Sequence, residues 1–122
     1  MKEIILLGFG GFIGTSLRYG AQLLVNKFIS VVFPMGTFLI NISGCFLIGL
    51  LYGIALKHEW MTNEWRLFLI TGLCGGYTTF STFSYESVEL FRQGHYVYLL
   101  LYIFLSVGAG VLATVAGLSV IK

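Results

Sequence analysis

The chain has 122 residues, of which 57% are hydrophobic and only 10% are Asp, Glu, Lys or Arg, against roughly 25% charged in an ordinary soluble domain. This composition excludes a water-soluble monomer, and because one membrane crossing needs roughly 20 apolar residues, it predicts a single domain, residues 1–122, of about four spanning helices. The net charge of +2, with basic residues spread singly along the chain, argues against a nucleic-acid-binding surface.

The first predicted span covers about residues 4–28 and is interrupted by Arg18. A secretory signal is the weaker interpretation, because no small-residue cleavage site follows and the apolar pattern resumes at Leu23. A cation inside a bilayer needs a partner. We expect Arg18 either to contact a buried group or a carbonyl, or to attract an anion.

The second predicted span covers about residues 31–56, carries no charge, and has Pro34 near its start, where a missing N–H costs least. Asn41 is its one strong polar group. Interhelical amide hydrogen bonds are frequent in lipid, so Asn41 either joins two helices or lines a pore. The charged connector that follows holds Trp60 and Trp65, which we expect to anchor the chain at the membrane interface.

The third predicted span, about residues 67–91, contains the most informative stretch, Gly75 to Ser84. Paired glycines followed by hydroxyl residues form a poor helix, so a break is expected at the glycines. Broken backbone at membrane depth is tolerated only where it is buried in protein, meets an ion or lines water. Phe80 and Phe83 lie on one helical face, and the positive edges of their rings can meet a small anion. The hydroxyls that could replace water around such an anion belong to Thr78, Thr79, Ser81, Thr82 and Ser84.

Acidic residues follow this stretch. Glu86 lies three residues past Phe83 on the same face, and a structural pairing or a place at a pore mouth are both open. Glu89 and Arg92 are near a helix end, where we expect them to be solvated.

The fourth predicted span covers about residues 96–121 and is closed by Lys122. The run Leu99–Leu105 is apolar on every side, which excludes the alternating pattern of a membrane β-barrel. Cys45 and Cys74 both fall in apolar runs, so reduced thiols are expected rather than a disulfide.

The numbers of positive charges on the two sides of the membrane are predicted to differ only slightly. With four spans, one face carries Lys2, Lys57, Arg66 and Lys122, and the other carries Lys27 and Arg92, with Arg18 if it extends that way. Such a small bias leaves two possibilities open. One orientation prevails weakly, or the chain inserts both ways and pairs with an inverted copy of itself.

Glycines spaced by four predict close helix packing and occur as Gly10 and Gly14, Gly49 and Gly53, and Gly72 and Gly76.

Three blocks of this sequence resemble the signatures of the small bacterial fluoride channels, the Fluc or CrcB family. The first is residues 10–14 followed by Arg18 and Tyr19, and the second is Gly36-Thr37 with Asn41, Gly44 and Gly49. The third block, residues 75–84, is the most specific. The resemblance covers the whole chain in length, span count and motif order.

The resemblance implies an all-α antiparallel, dual-topology homodimer with two pores that passively exports fluoride across the bacterial plasma membrane. Phe80 and Phe83 match the family's aromatic box, and Asn41 matches its pore-lining asparagine. The remaining positions that the resemblance assigns to the polar path are Ser81, Thr82, Glu86, Tyr102 and Ser106. Gly75 and Thr78 match the positions whose carbonyls hold a structural sodium ion (Na⁺) at the dimer centre.

Other classes remain as alternatives. A small four-helix proton-coupled multidrug exporter has a similar length, but proton coupling needs a deep carboxylate where the first span has only Arg18. A non-transporting assembly subunit would not need the series of hydroxyl residues in the third span. An enzyme is not expected, because no nucleophile and base lie at a workable spacing.

Overall fold

The computed structural model of the protein describes residues 1–121, and its regular secondary structure is helical throughout. Helix α1 is Lys2–Phe28, α2 is Met35–Lys57, α3 is residues 63–77, α4 is Phe80–Arg92 and α5 is Tyr96–Val120. The prediction of an all-helical protein is confirmed, and the expectation for Lys122 lies outside the described residues.

Three helices, α1, α2 and α5, are long and apolar enough to cross a membrane, with mean hydropathies of 1.3, 2.1 and 2.3. The third predicted span is divided, because α3 ends at Tyr77 and α4 begins at Phe80. A break in this span is therefore confirmed. It separates two shorter helices that lie where the sequence predicts the third span.

Helix α2 begins at Met35, later than the predicted start of the second span at residue 31. Pro34 lies immediately before the first helical residue, and a proline disfavours helical backbone in the residue that precedes it. Residues 31–34 therefore belong to the connection between α1 and α2.

Helix α3 has three consecutive parts: an α-helical turn Asn63–Arg66, a π-helix Leu67–Cys74 and a final turn Gly75–Tyr77. In the π-helical part the Gly75 N–H donates to the carbonyl of Ile70, five residues earlier. Such wide turns are rare and occur often at functional sites. Here the π-helix leads directly to the break.

The helices pack in two close pairs, α1 along α3 and α2 along α5. A side-chain carbon on Gly10 or Gly14 would collide with backbone carbonyls of α3, those of Phe68 and Leu73. One on Gly49 would collide with the carbonyl of Thr114 in α5. Since backbone cannot move aside as a side chain can, glycine is what permits these contacts. The prediction of close packing at the spaced glycines is confirmed.

The buried core is small and lies mainly between α2 and α3, where it comprises Leu51, Ala55, Met61, Ile70 and Cys74. Large apolar side chains instead cover the outside, as Phe12 on α1 and Phe104 on α5 illustrate with exposed fractions of 72% and 71%. An apolar exterior of this extent needs lipid or another protein surface against it.

Candidate functional site

The break between α3 and α4 consists of Thr78 and Thr79, both with extended backbone. The sequence led us to expect the interruption at Gly75 and Gly76, and that expectation is wrong, because both glycines belong to the last turn of α3. Thr79 instead supplies the cap that starts α4: its hydroxyl oxygen accepts the Thr82 N–H at 3.2 Å. A hydroxyl side chain that bonds nearby backbone competes with the helix, and that competition decides where the helix stops.

Asn41 fixes the break to α2. Its amide nitrogen donates to the Thr79 carbonyl at 3.0 Å, and its amide oxygen accepts the Thr79 N–H at 2.9 Å. Both ends of the amide thus satisfy one backbone unit that has left the helix. Of the two roles left open for Asn41, the hydrogen bond between helices is present. Gly44, one turn further along α2, leaves room for the Thr78 methyl group and the Tyr77 ring.

Arg18 meets the break from α1. Its Nε donates to the Gly76 carbonyl at 3.0 Å, and the Thr15 hydroxyl approaches the same oxygen at 3.5 Å. The carbonyl contact expected for Arg18 is therefore made. Arg18 thereby satisfies the Gly76 carbonyl, which in a continuous helix would accept the N–H of Phe80.

Two further carbonyls lose their helical donors at the break. In a continuous helix Thr79 N–H would bond the Gly75 carbonyl and Thr82 N–H would bond the Thr78 carbonyl. The structure diverts these N–H groups to the Asn41 side chain and to the Thr79 hydroxyl. Gly75 and Thr78 are the residues at which the resemblance implies an ion.

Phe80 and Phe83 lie on the same face of α4, with ring centroids 5.7 Å apart and ring planes inclined by 47°. Phe80 is highly exposed, whereas Phe83 is half-buried and its ring centroid lies 4.9 Å from that of Tyr102 on α5. The pair therefore extends inward from the molecular surface to α5.

An open cavity of about 290 Å³ adjoins the two phenylalanines. Asn41 of α2 and Ser106 of α5 also line it. The Ser106 hydroxyl oxygen is buried, and no other group among residues 1–121 hydrogen-bonds to it. An unpartnered buried hydroxyl is costly, and this one lies enclosed behind the wall of the cavity. We call this space the aromatic cavity.

A second, more polar crevice of about 400 Å³ lies on the other side of the break. Thr82, Glu86 and Arg18 line it, and Thr79 lines both this crevice and the aromatic cavity. Glu86 accepts a hydrogen bond from the Tyr102 hydroxyl at 2.8 Å. The structural pairing that was one option for Glu86 is thus present, while its side chain also borders the crevice.

The predicted site residues are therefore distributed over two neighbouring spaces. Asn41, Phe80, Phe83 and Ser106 share the aromatic cavity, and Thr82 and Glu86 share the polar crevice. Ser81 is exposed, with its hydroxyl 3.4 Å from that of Thr79, and Tyr102 is wholly buried behind Phe83 and Glu86.

Thr79 was expected only as one of several hydroxyls near an anion, and the structure makes it the centre of the break. Its backbone is held by Asn41, and its hydroxyl contacts Thr82 and Ser81. The signal for this role is the threonine itself, because threonine is among the residues preferred at the position that caps the start of a helix.

Comparison with known proteins gives a family match and close relatives. The family described as CrcB-like protein, Camphor Resistance (CrcB), matches residues 5–118. Proteins named fluoride-specific ion channel FluC match nearly the whole chain. That of Flavobacterium psychrophilum is 46% identical over 100% of this chain and 98% of its own length. That of Azobacteroides pseudotrichonymphae is 44% identical over 96% and 94%, and that of Bacteroides fragilis is 43% identical over 96% and 94%.

Proposed function

The chain belongs to the CrcB-like family, and from this premise we propose that it is a fluoride-selective channel that lets fluoride leave the bacterial cytoplasm passively across the plasma membrane. The resemblance noted in the sequence is confirmed by this membership. Since the family is one of ion channels, the chain is not an enzyme. Fluoride enters cells as neutral HF and is trapped as the anion at cytoplasmic pH. A passive path is then sufficient for export.

The observation that carries the proposal is the aromatic cavity at the break. A small anion that leaves water needs donors in its place, and the Ser106 hydroxyl supplies one when its side chain rotates toward the cavity, with no protein hydrogen bond to break among residues 1–121. The Phe80 and Phe83 rings can offer positive edges to the same ion. In this proposal, the polar crevice lined by Thr82 and Glu86 continues the path, and Thr79 borders both spaces. Ser81 and Tyr102 complete the set of residues assigned to it.

The exposed rings support a dimer. Phe80 has an exposed fraction of 79% although it lies beside the aromatic cavity. A single subunit therefore leaves the cavity open along one side. We propose that a second, inverted copy of the chain closes it, which gives an antiparallel homodimer with two equivalent paths.

We further propose that the Gly75 and Thr78 carbonyls of both subunits hold one sodium ion at the dimer centre. The fit rests on the diverted donors, since Thr79 N–H and Thr82 N–H bond elsewhere. Carbonyl oxygens suit hard cations. No carboxylate lies close to Gly75 and Thr78 along the chain, which favours a singly charged ion over calcium or magnesium, whose sites usually include carboxylates. The ion would join the two subunits and take no part in conduction.

The test is fluoride efflux from liposomes that contain the purified protein, with chloride efflux measured in parallel. We expect rapid loss of fluoride and slow loss of chloride without any energy source. Similar rates for the two ions would contradict selectivity. Efflux that requires a proton gradient would favour the proton-coupled exporter instead.

A further inference from the structure

A small cavity of about 260 Å³ adjoins the polar crevice on the side of the connection between α1 and α2. Phe33 and Pro34 of that connection and Gly36 of α2 line it. Two residues line both spaces, Gln22 from α1 and Glu86 from α4, so the spaces meet at these side chains. We call this place the Gln22–Glu86 junction. Gln22 is not among the residues assigned to the proposed fluoride path.

Gln22 belongs to a polar stripe on α1. Thr15, Arg18 and Gln22 follow one another at spacings of three and four residues, which places them on one helical face. All three line the polar crevice. Polar and charged groups inside an apolar span are costly in lipid and mark paths for ions or water. The stripe therefore forms a polar wall from the Gly76 carbonyl, which Arg18 and Thr15 contact, to the Gln22–Glu86 junction.

The half-buried Gln22 amide is held in a defined place. Its Nε2 donates to the Oδ1 of the exposed Asn26 at 3.1 Å, and Asn26→Asp would keep this acceptor. A side-chain carbon on Gly36 would collide with the amide, so the amide lies directly against the first turn of α2 and only glycine leaves room for it. An amide NH₂ group has a second N–H to donate. That N–H is available to a group in the junction.

Glu86 borders the same junction with a carboxyl group, which accepts the Tyr102 hydroxyl at 2.8 Å. An ionised carboxylate only accepts hydrogen bonds, and it repels an anion. Fluoride that passes Glu86 therefore needs a donor on another wall. We propose that Gln22 is an anion-binding residue of the path, whose amide N–H holds fluoride at the junction and offsets Glu86. This inference rests on the proposed function.

The first test compares Gln22→Met with Gln93→Met in the liposome efflux assay. Methionine is as long and unbranched as glutamine, so the change removes the amide and keeps the bulk. We expect Gln22→Met to lower efflux roughly tenfold at low fluoride concentration, because a hydrogen bond to a charged group is worth about that factor. The loss should be smaller at saturating fluoride, since the change weakens binding. Gln93 is exposed immediately after the last residue of α4, and Gln93→Met should match the wild type.

Gly36→Ala tests the position of the amide without removing it. The new methyl group would take the place of the Gln22 amide, and because the amide ends a flexible side chain, it can move away while the fold is kept. We expect efflux at low fluoride to fall about as far as in Gln22→Met. The double variant should fall no further than either single variant. Size-exclusion chromatography checks that all variants keep the assembly of the wild type.

Three results from correctly assembled variants would overturn the inference. One is equal efflux by Gln22→Met and wild type at low fluoride. Another is an equal loss at low and saturating fluoride, because a weakened binding site would be overcome by concentration. The third is additive losses in the double variant, because the Gly36→Ala methyl group would then act on something other than the amide. Absence of fluoride efflux by the wild type contradicts the proposed function itself, so the two failures are distinguishable.

Discussion

Single side chains at the break each meet more than one neighbour. Phe83 contacts the ring of Phe80 on its own helix and that of Tyr102 on α5. Asn41 binds both polar atoms of the Thr79 backbone. A substitution at either position therefore changes both a local interaction and the shape of the aromatic cavity. Its effect on fluoride efflux depends on whether the ion needs the interaction or the shape.

Replacing Phe83 with isoleucine keeps an apolar side chain and removes the ring. Fluoride efflux should fall roughly tenfold, because an aromatic contact is worth about 0.5–1.5 kcal/mol and tenfold corresponds to about 1.4 kcal/mol. Dimerisation should survive, as measured by size-exclusion chromatography. The control is Phe104→Ile, since that ring is exposed on α5. Equal efflux by Phe83→Ile and wild type would remove the ring edge from the mechanism.

Asn41→Asp keeps the acceptor for the Thr79 N–H but removes the donor to the Thr79 carbonyl. Loss of one buried hydrogen bond costs about 1–3 kcal/mol, and an ionised carboxylate would repel an anion strongly where water is scarce. We expect lower thermal stability and at least a roughly tenfold lower fluoride efflux. Asn26→Asp changes the same group at an exposed position and should affect neither quantity. Normal efflux with an ionised Asp at position 41 would place this side chain outside the path.

At the scale of elements, glycine determines which helices can approach each other. The α1 and α3 backbones meet at Gly10, Gly14 and Gly72, and a side chain on any of them would meet backbone atoms. Helix α1 also carries Arg18 to the Gly76 carbonyl. The close contact of these two helices therefore supports one side of the break.

Gly14→Ala should lower the free energy of unfolding by about 1–3 kcal/mol, the usual cost of overpacking a closed contact. The new methyl group would overlap the Leu73 carbonyl and approach the Tyr77 N–H. Gly8→Ala, on the same helix, is the matched control because nothing lies within 4 Å of its added carbon. Denaturant unfolding in detergent provides the measurement. If the two variants are equally stable, α1 and α3 do not pack as described.

At the scale of the whole molecule, large apolar side chains cover much of the outside, and the aromatic cavity is open on a single subunit. Phe12, Phe80 and Phe104 are all largely exposed on a single subunit. Lipid can cover Phe12 and Phe104. Phe80 borders the cavity proposed for the anion, and a protein surface is needed to cover it. Assembly is therefore part of the proposed function.

The sodium proposal predicts dependence on a cation that does not permeate. Purification and assay with N-methyl-D-glucamine in place of sodium should weaken the dimer and reduce fluoride efflux, and sodium should restore both. The reason is that freed carbonyls at membrane depth need a partner. If dimer stability and efflux are unchanged and elemental analysis finds no sodium, the central ion is excluded.

Orientation gives a separate prediction. A reporter fused to the C-terminus should be found on both sides of the membrane, because the Lys and Arg count barely distinguishes the faces. Adding about three lysines to one end should drive most copies one way and reduce efflux. Activity should return when an oppositely biased copy is expressed with it. Full activity of a population with one orientation would contradict the antiparallel dimer.

The sequence by itself determined the membrane class, the helical fold, the close-packing glycines and the presence of a break in the third span. These follow from composition and local spacing, which act along the chain regardless of its partners. The sequence also identified Phe80 and Phe83 as candidate site residues, because a separation of three residues places both rings on one helical face.

Only the tertiary structure decided where the break falls and what holds it. Paired glycines lower helix stability, but α1 packs against that turn and keeps it helical, while Asn41 on α2 offers Thr79 two hydrogen bonds outside the helix. The partners of Arg18 and Glu86 were likewise open in the sequence, because Gly76 and Tyr102 are 58 and 16 residues away from them along the chain. Such contacts depend on how helices meet, and no local pattern encodes that.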